Sequence, residues 1–185
     1  MGSNFRGAFQ EILLFLKKNN ITYVLIGAWS SSFWGQPRAT EDIDFLILLE
    51  EKEFKKFKKK LSDSAAFKID RVWEKTNPLI RREHIRILFK DIHLDIALPK
   101  DTHDIEVLQR RVLKKMGSLK MYIATPEDIV LMKIKSGRAK DFPDALSVFI
   151  KQQNNMDYDY LRLWAKKLHV YEELNWLVTK AEKEI

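Results

Sequence analysis

Two aspartates separated by one residue are the part of this chain best suited to chemistry. Asp42 and Asp44 flank Ile43 and open an apolar run that ends at Leu49. Residues i and i+2 of a strand point to the same face, so the two carboxylates project together while Ile43 faces the opposite way. Adjacent carboxylates repel each other unless a cation lies between them, and their oxygens suit a hard cation. The pair therefore predicts a Mg²⁺ site.

A third acid lies in similar surroundings. Asp95 alternates with apolar residues in the run 92–98 and shares a face with His93 and Ala97. If this strand lies beside that of Asp42 and Asp44, three carboxylates meet on one sheet face. Such a set can hold two divalent ions in phosphoryl chemistry, and one carboxylate can accept the proton of an attacking hydroxyl. The alternative is that all three are solvated acids at strand starts and edges.

A glycine precedes Asp42 by fifteen residues. Gly27 ends the apolar run 21–26 and opens a short segment that contains Ser30. A strand that ends in glycine and enters a helix lets the backbone approach a phosphate, which the free N–H groups of the helix then bind. Gly27 and Ser30 are therefore candidate triphosphate contacts, although a glycine at a strand end usually only makes a turn. Neither a Walker A motif nor GxGxxG is present, so P-loop and Rossmann interpretations fail.

The composition is that of a folded, basic protein. Of 185 residues, 45% are hydrophobic and 32% are charged, and the net charge of +7 suits an acidic partner such as a nucleotide or nucleic acid. A generally basic cytosolic protein is the alternative. The absence of cysteine excludes disulfides and thiolate chemistry. No apolar stretch reaches the length of a membrane span, and residues 1–19 predict an amphipathic helix rather than a signal peptide, so we expect a cytoplasmic protein without a membrane partner.

The elements that must position the acids follow from the apolar periodicity. It predicts strands and helices over the first two thirds of the chain and almost only helices afterwards. We expect an α/β (α+β) core over residues 1–124, with a mixed sheet flanked by helices, and a helical part over residues 125–185 packed on it. The predicted strands are 21–26, 43–49, 67–73, 85–89, 92–98 and 121–124, and the predicted helices are 1–19, 27–34, 50–61, 104–113, 125–136, 141–152, 157–168 and 171–184.

These residues resemble the DNA polymerase β-like nucleotidyltransferase superfamily. Its signature is a strand, a Gly-Ser or Gly-Gly pair that opens a short helix, a later hDhDh and a third acid on another strand. Gly27-Ala28, Asp42-Ile43-Asp44 and Asp95 take these places. Ala28 departs from the pattern because it lacks the hydroxyl of the usual serine.

A closer likeness is to a small prokaryotic branch with minimal nucleotidyltransferases and AbiEii-type toxins of abortive-infection systems. Its pattern G-x-x-R-x-T-x-D-h-D is matched in full from Gly35 to Asp44, including Arg38 and Thr40. A later block of the branch, P-E-D-L-h-h-x-K-h-x-x-G-R-x-K-D-x-x-D, is similar to residues 126–144 and contains Lys133. The resemblance covers about residues 21–150.

The resemblance implies a nucleotidyltransferase that binds Mg²⁺ and a nucleoside triphosphate and transfers a nucleoside monophosphate to an acceptor hydroxyl. Arg38, Thr40 and Lys133 are candidate supports of the triphosphate, whose departing charge needs cations. The acceptor is left open between RNA such as tRNA, a protein and a small molecule. The transfer reaction is compatible with a toxin-like role, and the alternative is a nucleotide-binding regulatory module or a toxin–antitoxin partner module without turnover. A basic cluster at Arg81, Arg82, His84 and Arg86 is either an acceptor-side surface or a solvent-exposed strand edge.

Overall fold

The computed structural model describes residues 3–74 and 82–184, so Arg81 of the basic cluster lies outside the described residues. The described residues form a mixed sheet of seven strands and eight α-helices. The strands are β1 (Thr22–Ile26), β2 (Asp42–Leu48), β3 (Lys68–Trp73), β4 (His84–Phe89), β5 (Ile92–Ala97), β6 (Val112–Met116) and β7 (Leu119–Ile123). The helices are α1 (Ser3–Lys18), α2 (Gly27–Trp34), α3 (Glu51–Ser62), α4 (Thr102–Arg110), α5 (Pro126–Ser136), α6 (Asp141–Gln152), α7 (Tyr158–Lys167) and α8 (Tyr171–Glu182).

The sheet combines parallel and antiparallel pairs in the order β3-β4-β5-β2-β1-β7-β6. The pairs β2–β5 and β1–β7 are parallel, and the pairs β3–β4, β4–β5 and β6–β7 are antiparallel. Tight turns join β4 to β5 and β6 to β7, and Lys90 takes a positive φ of 52° between β4 and β5. The expected α/β class with a mixed sheet is confirmed.

The chain divides into two compact units. The first comprises Met1–Leu25 and Thr40–Ile123, and the second comprises Ile26–Ala39 and Ala124–Ile185. The short helix α2 therefore belongs with the C-terminal helices, although it lies early in the sequence. The division into residues 1–124 and 125–185 remains a prediction about domain organisation.

The first unit is built on apolar strands and an amphipathic first helix. Phe9 of α1 is fully buried and meets Phe45 of β2 edge to face, with ring centroids 6.3 Å apart. Ile43, on the same strand, is also fully buried, and such burial stabilises each side chain by about 1.5–3 kcal/mol. Strand β2 is thus held firmly in place, which fixes the positions of the two aspartates at its start.

The second unit is helical and has a clear start signal at α5. The Thr125 hydroxyl accepts a hydrogen bond from the Asp128 backbone N–H at 3.3 Å, and Pro126 occupies the first helical position. The helix ends at Gly137, whose φ of 66° lies in the left-handed region that favours glycine. None of the helices in the described ranges is long and apolar enough to cross a membrane.

Among the strands and α-helices of the described residues, β6 is the element that the periodicity missed. Ile105, Leu108 and Val112 keep helical spacing, so the predicted helix ran to residue 113. In the structure α4 ends at Arg110, and β6 pairs with β7 from Val112 to Met116. Pairing with a partner strand overrides the local apolar spacing here, and a single sequence does not reveal such a partner.

Candidate active site

The three predicted acids of the first unit lie on neighbouring strands. In the parallel pair β2–β5, Asp42 lies opposite His93 and Asp44 lies opposite Asp95. Asp42 keeps 42% of its side chain exposed, whereas Asp95 is almost buried. The structure therefore brings Asp42, Asp44 and Asp95 together on one face of the sheet, at the amino-terminal half of β2.

The carboxylate of Asp95 is held by two side chains of β4. Arg86 lies directly opposite Asp95 and donates two hydrogen bonds, from Nε to Oδ1 at 2.8 Å and from Nη2 to Oδ2 at 2.6 Å. The Nε2 atom of His84 lies 3.1 Å from Oδ1. Burial raises the pKa of Asp95, but the hydrogen bonds and positive charge of Arg86 and His84 outweigh it and lower the pKa to about 2. Asp95 is thus ionised at neutral pH.

Aromatic stacking fixes the position of His84. Its ring stacks on Trp73 of β3, with centroids 4.5 Å apart and planes 11° from parallel. The guanidinium of Arg71 lies over the same indole at 5.5 Å. His84 and Arg86 therefore contact Asp95 from β4, with Arg71 opposite Arg86 on β3, while Asp42 and Asp44 extend the carboxylate face along β2.

Asp42 has a different setting from Asp95. The Nδ1 atom of His93 lies 3.6 Å from its Oδ1, and the Thr40 hydroxyl donates to its backbone carbonyl at 3.3 Å. Thr40 thereby helps to fix the entry into β2.

Asp42 and Asp44 offer carboxylate oxygens on one face of the sheet, and oxygen is the ligand atom that Mg²⁺ prefers. The carboxylate of Asp95 accepts hydrogen bonds from Arg86. Among residues 3–74 and 82–184, no group of three or more His, Cys, Asp or Glu side chains is arranged to hold a metal ion. Metal binding at Asp42, Asp44 and Asp95 therefore stays a prediction.

The second unit contains Gly27 and Ser30 on the short helix α2. Gly27 has a φ of 68°, a conformation that side-chain-bearing residues rarely adopt, and α2 begins there. Its carbonyl accepts a hydrogen bond from the Ser31 hydroxyl at 3.1 Å. Ser30 is fully buried, so its contact with a bound phosphate would require α2 to rearrange.

Arg38 is anchored to α6 within the second unit. Its guanidinium donates two hydrogen bonds to Asp144, from Nε at 2.6 Å and from Nη2 at 2.8 Å. Nearby, the backbone N–H of Gln36 donates to the Ser147 hydroxyl at 2.6 Å. A Cβ on Gly35 would come within 2.5 Å of that hydroxyl and 2.9 Å of the Val148 nitrogen. The glycine and arginine of the G-x-x-R motif thus secure the segment before Asp42 to a helix.

Lys133 is buried between two aspartates of α6. Its side chain is 8% exposed, and Nζ donates to Asp141 at 2.9 Å and to Asp144 at 2.7 Å. Asp141 also accepts hydrogen bonds from Arg138 and Ser136. Asp141 is therefore paired with Arg138, and Lys133 joins the same network.

The same contacts shift the acidity of both aspartates. Burial raises the pKa of Asp141, but hydrogen bonds from Arg138, Ser136 and Lys133 prevail and lower it to about 2. Burial likewise raises the pKa of Asp144, and the hydrogen bonds and charges of Arg38 and Lys133 lower it overall. Both carboxylates therefore hold their cations as ion pairs at neutral pH.

Sequence reasoning did not foresee the Arg86–Asp95 pair, although a signal for it exists. The predicted hairpin turns at Lys90-Asp91, which places Phe89 opposite Ile92. Counting back from that turn places Arg86 opposite Asp95, and opposite charges facing each other on an antiparallel pair attract. The buried contacts of Lys133 carried no such signal, since they depend on how α5 and α6 pack.

Comparison with known proteins now defines the family. The profile of a family described as "nucleotidyltransferase of unknown function" (DUF6036) matches residues 3–180. The chain belongs to this nucleotidyltransferase family. The match spans both compact units, so the carboxylate face and the helical network are both parts of the nucleotidyltransferase. No curated protein matches the sequence.

Solved structures with the same fold are distant in sequence. An antigenic nucleotidyltransferase-like protein from Paracoccidioides brasiliensis is 16% identical, with a TM-score of 0.61 over 96% of this chain and 93% of that one. ANT(2")-Ia in complex with adenylyl-2"-tobramycin is 10% identical, with a TM-score of 0.59 over 88% and 95% of the chains. The lincosamide antibiotic adenylyltransferase LnuA, lincomycin-bound, is 19% identical, with a TM-score of 0.52 over 76% and 93%. These likenesses show the nucleotidyltransferase fold.

Proposed function

We propose that this nucleotidyltransferase transfers a nucleoside monophosphate from a nucleoside triphosphate to an acceptor hydroxyl, with Mg²⁺ bound at Asp42 and Asp44. The observation that carries the proposal is the carboxylate face of β2 and β5, in a chain whose family is one of nucleotidyltransferases. In this reaction the acceptor oxygen loses its proton to solvent and bonds to the α-phosphorus, the bond from that phosphorus to the α–β bridging oxygen breaks, and pyrophosphate leaves.

Asp42 and Asp44 are the residues proposed to hold the metal. Both begin a strand whose apolar side is fully buried, so their carboxylates are presented by rigid backbone. When bound, Mg²⁺ would neutralise negative charge on the triphosphate. His93 lies close enough to Asp42 to orient its carboxylate.

We propose that Asp95 acts by positioning Arg86 rather than by accepting the proton of the acceptor hydroxyl. A general base works best with a pKa near the working pH, whereas the pKa of Asp95 is about 2. Its two hydrogen bonds hold the Arg86 guanidinium against Asp95, the residue that lies opposite Asp44 in the parallel ladder. Arg86 is therefore a candidate for stabilising charge on the reacting phosphates, and a direct metal contact by Asp95 would have to compete with this pair.

We propose different roles for the remaining candidate residues. Gly27 remains a candidate phosphate contact, since its backbone opens a helix. Arg38 and Lys133 already bind aspartates, so we assign them to positioning the segment before β2 and to holding α5 and α6. Ser30 and Thr40 are retained as candidates for supporting roles.

The acceptor is the finer question. ANT(2")-Ia and LnuA carry antibiotics in their solved complexes, which makes a small-molecule hydroxyl one acceptor class to test. The net charge of +7 also suits an RNA acceptor. A toxin-like role on RNA, with an antitoxin partner, belongs to this second class. All of these acceptors fit the proposed transfer reaction, because each supplies a hydroxyl as nucleophile.

The experiment supplies Mg²⁺ and each α-labelled nucleoside triphosphate to the purified protein, with transfer RNA, cell protein and aminoglycoside or lincosamide antibiotics as separate acceptors. Asp42→Asn and Asp44→Asn test the metal pair, and Asp91→Asn, at an exposed turn, is the matched control. We expect labelled product with one acceptor class, lost by about 100-fold or more in the two site variants. Equal labelling by wild type and site variants would refute the proposed site, and triphosphate binding without any labelled product would favour a regulatory module.

A further inference from the structure

A groove of about 850 Å³ lies beside α1 in the first unit, away from the carboxylates of β2. One wall is α1, which contributes Leu13 and Leu14. The remaining walls come from residues 20–23 at the start of β1 and from β7, β6 and the residue before β6. None of the lining residues belongs to the proposed transfer site, so the groove requires its own explanation.

Large apolar side chains in this groove are exposed. Leu14 is 62% exposed, Leu113 of β6 is 55% exposed and Tyr122 of β7 is 36% exposed. Tyr23 lies between Tyr122 and the core, with ring centroids 5.8 Å from Tyr122 and 5.7 Å from Phe45. Contiguous exposed apolar side chains with charged neighbours are typical of a surface that binds another protein.

The charges around the groove are mostly positive. Among the described residues that line it, Lys17, Arg111 and Lys120 are basic and Glu11 supplies one carboxylate. The guanidinium of Arg111 lies 4.7 Å from the centre of the Tyr122 ring, and one of its nitrogens donates to the Leu108 carbonyl. This arrangement holds a cation at the groove wall. Complementary charge on a bound partner would therefore be negative.

The dimensions fit one α-helix. Three neighbouring strands, β1, β7 and β6, span about 10 Å at a spacing of about 4.8 Å, which equals the width of a helix with its side chains. A cylinder of about 5 Å radius occupies about 420 Å³ per helical turn, so the groove accommodates about two turns. A helix lying there would be parallel or antiparallel to the strands or to α1.

We propose that this groove binds an amphipathic, acidic α-helix of a partner protein. The apolar face of that helix would cover Leu14, Leu113 and Tyr122, and its acidic edges would meet Lys17 and Lys120. A second copy of this chain is a poorer occupant, because each copy carries a net charge of +7 and the groove is itself basic. The proposal does not depend on the transfer reaction.

The test begins with a display library of stapled helical peptides, about 14 residues long, whose apolar positions follow the i, i+3, i+4, i+7 pattern and whose other positions are random. The library is selected on the full chain and depleted on the variant Leu14→Gln/Leu113→Gln. Both substitutions are at exposed positions, so the fold is retained, and circular dichroism verifies it. Leu163→Gln, at a 51% exposed position of α7, is the control.

We expect the selected peptides to be rich in Asp and Glu at the edges of the apolar face. Their affinity, measured by fluorescence anisotropy, should fall at least about tenfold in Leu14→Gln/Leu113→Gln and in Lys17→Glu/Lys120→Glu, and should be unchanged in Leu163→Gln. Failure to select any groove-dependent peptide would overturn the proposal, as would groove-dependent peptides that are neutral or basic. A wild-type dimer in sedimentation equilibrium that dissociates in the Leu14→Gln/Leu113→Gln variant would overturn it in favour of a second copy.

Discussion

Replacing Lys133 by methionine distinguishes a structural lysine from a phosphate-binding one. Methionine keeps the length and the apolar stem of the side chain and removes only the ammonium group. In wild type that group donates to Asp141 at 2.9 Å and to Asp144 at 2.7 Å, and the side chain is 8% exposed. The substitution therefore leaves two nearly buried carboxylates without a shared cation.

The expected loss follows from these two contacts. A hydrogen bond to a charged group contributes about 1.5–3 kcal/mol, and removing one partner of a buried ion pair costs about 3–5 kcal/mol. Arg38 still holds Asp144 and Arg138 still holds Asp141, so the lower end applies. We expect the free energy of unfolding to fall by about 3 kcal/mol. In a chain of this size each kcal/mol lowers Tm by about 2–4 °C, which gives about 6–12 °C.

The assay combines urea unfolding with the binding of a fluorescent nucleoside triphosphate, measured well below the Tm of the variant. Lys151→Met, an exposed change on α6 that removes the same charge, is the control and should cost no more than about 0.5 kcal/mol. In the pair Lys133→Met and Asp141→Asn, a double-mutant cycle should return a coupling energy of about 1–3 kcal/mol. Unchanged stability in Lys133→Met with about tenfold weaker nucleotide binding would refute this reasoning and restore the phosphate-binding role.

Three further predictions concern packing, acidity and the Arg86–Asp95 pair. Gly35→Ala should lower the free energy of unfolding by about 1–3 kcal/mol in urea titrations, because its Cβ would meet the backbone of α6. Gly7→Ala in α1 is the control and should be neutral or stabilising by up to about 1 kcal/mol. Equal effects of the two substitutions would contradict the packing argument. The pKa of Asp141 is about 2 in the folded protein, against an ordinary value of 3.8. Its ionisation therefore contributes about 2 kcal/mol to the free energy of unfolding above pH 3.8, and this contribution is lost as the pH falls to 2. The difference in unfolding free energy between wild type and Asp141→Asn, measured in urea at stepped pH, should narrow by that amount, and a constant difference would contradict the prediction. Arg86→Met should raise the pKa of Asp95 from about 2, because burial is then opposed by His84 alone. A carbon-detected NMR titration of Asp95 that still gave a pKa of about 2 would contradict the pairing.

The fold was largely readable from the sequence because its signals are local. The cap at Thr125, the apolar runs around Ile43 and Leu94 and the turn at Lys90-Asp91 each specify an element with little help from distant residues. The strand β6 was missed because only its pairing with β7 distinguishes it from a continuation of α4.

The candidate site was readable in part. Alternation along two strands predicted that Asp42, Asp44 and Asp95 share a face, and the register between β2 and β5 agrees. The ion-pair partners of Arg38 and Lys133 could not be predicted from the sequence. Arg38 contacts Asp144 across about 100 residues of sequence, and Lys133 contacts it only because α5 packs against α6. The sequence motif therefore named the candidate residues, and the contacts of their side chains became known only from the structure.

The most direct test of the proposed function needs no acceptor. Mn²⁺ replaces Mg²⁺ at oxygen sites and is followed by electron paramagnetic resonance, so its binding to the full chain is measured with and without a nucleoside triphosphate. The carboxylate face predicts nucleotide-dependent Mn²⁺ binding that weakens at least about tenfold in Asp42→Asn and in Asp44→Asn and is unchanged in Asp91→Asn. Mn²⁺ and nucleotide binding of wild-type strength in both site variants would contradict the account.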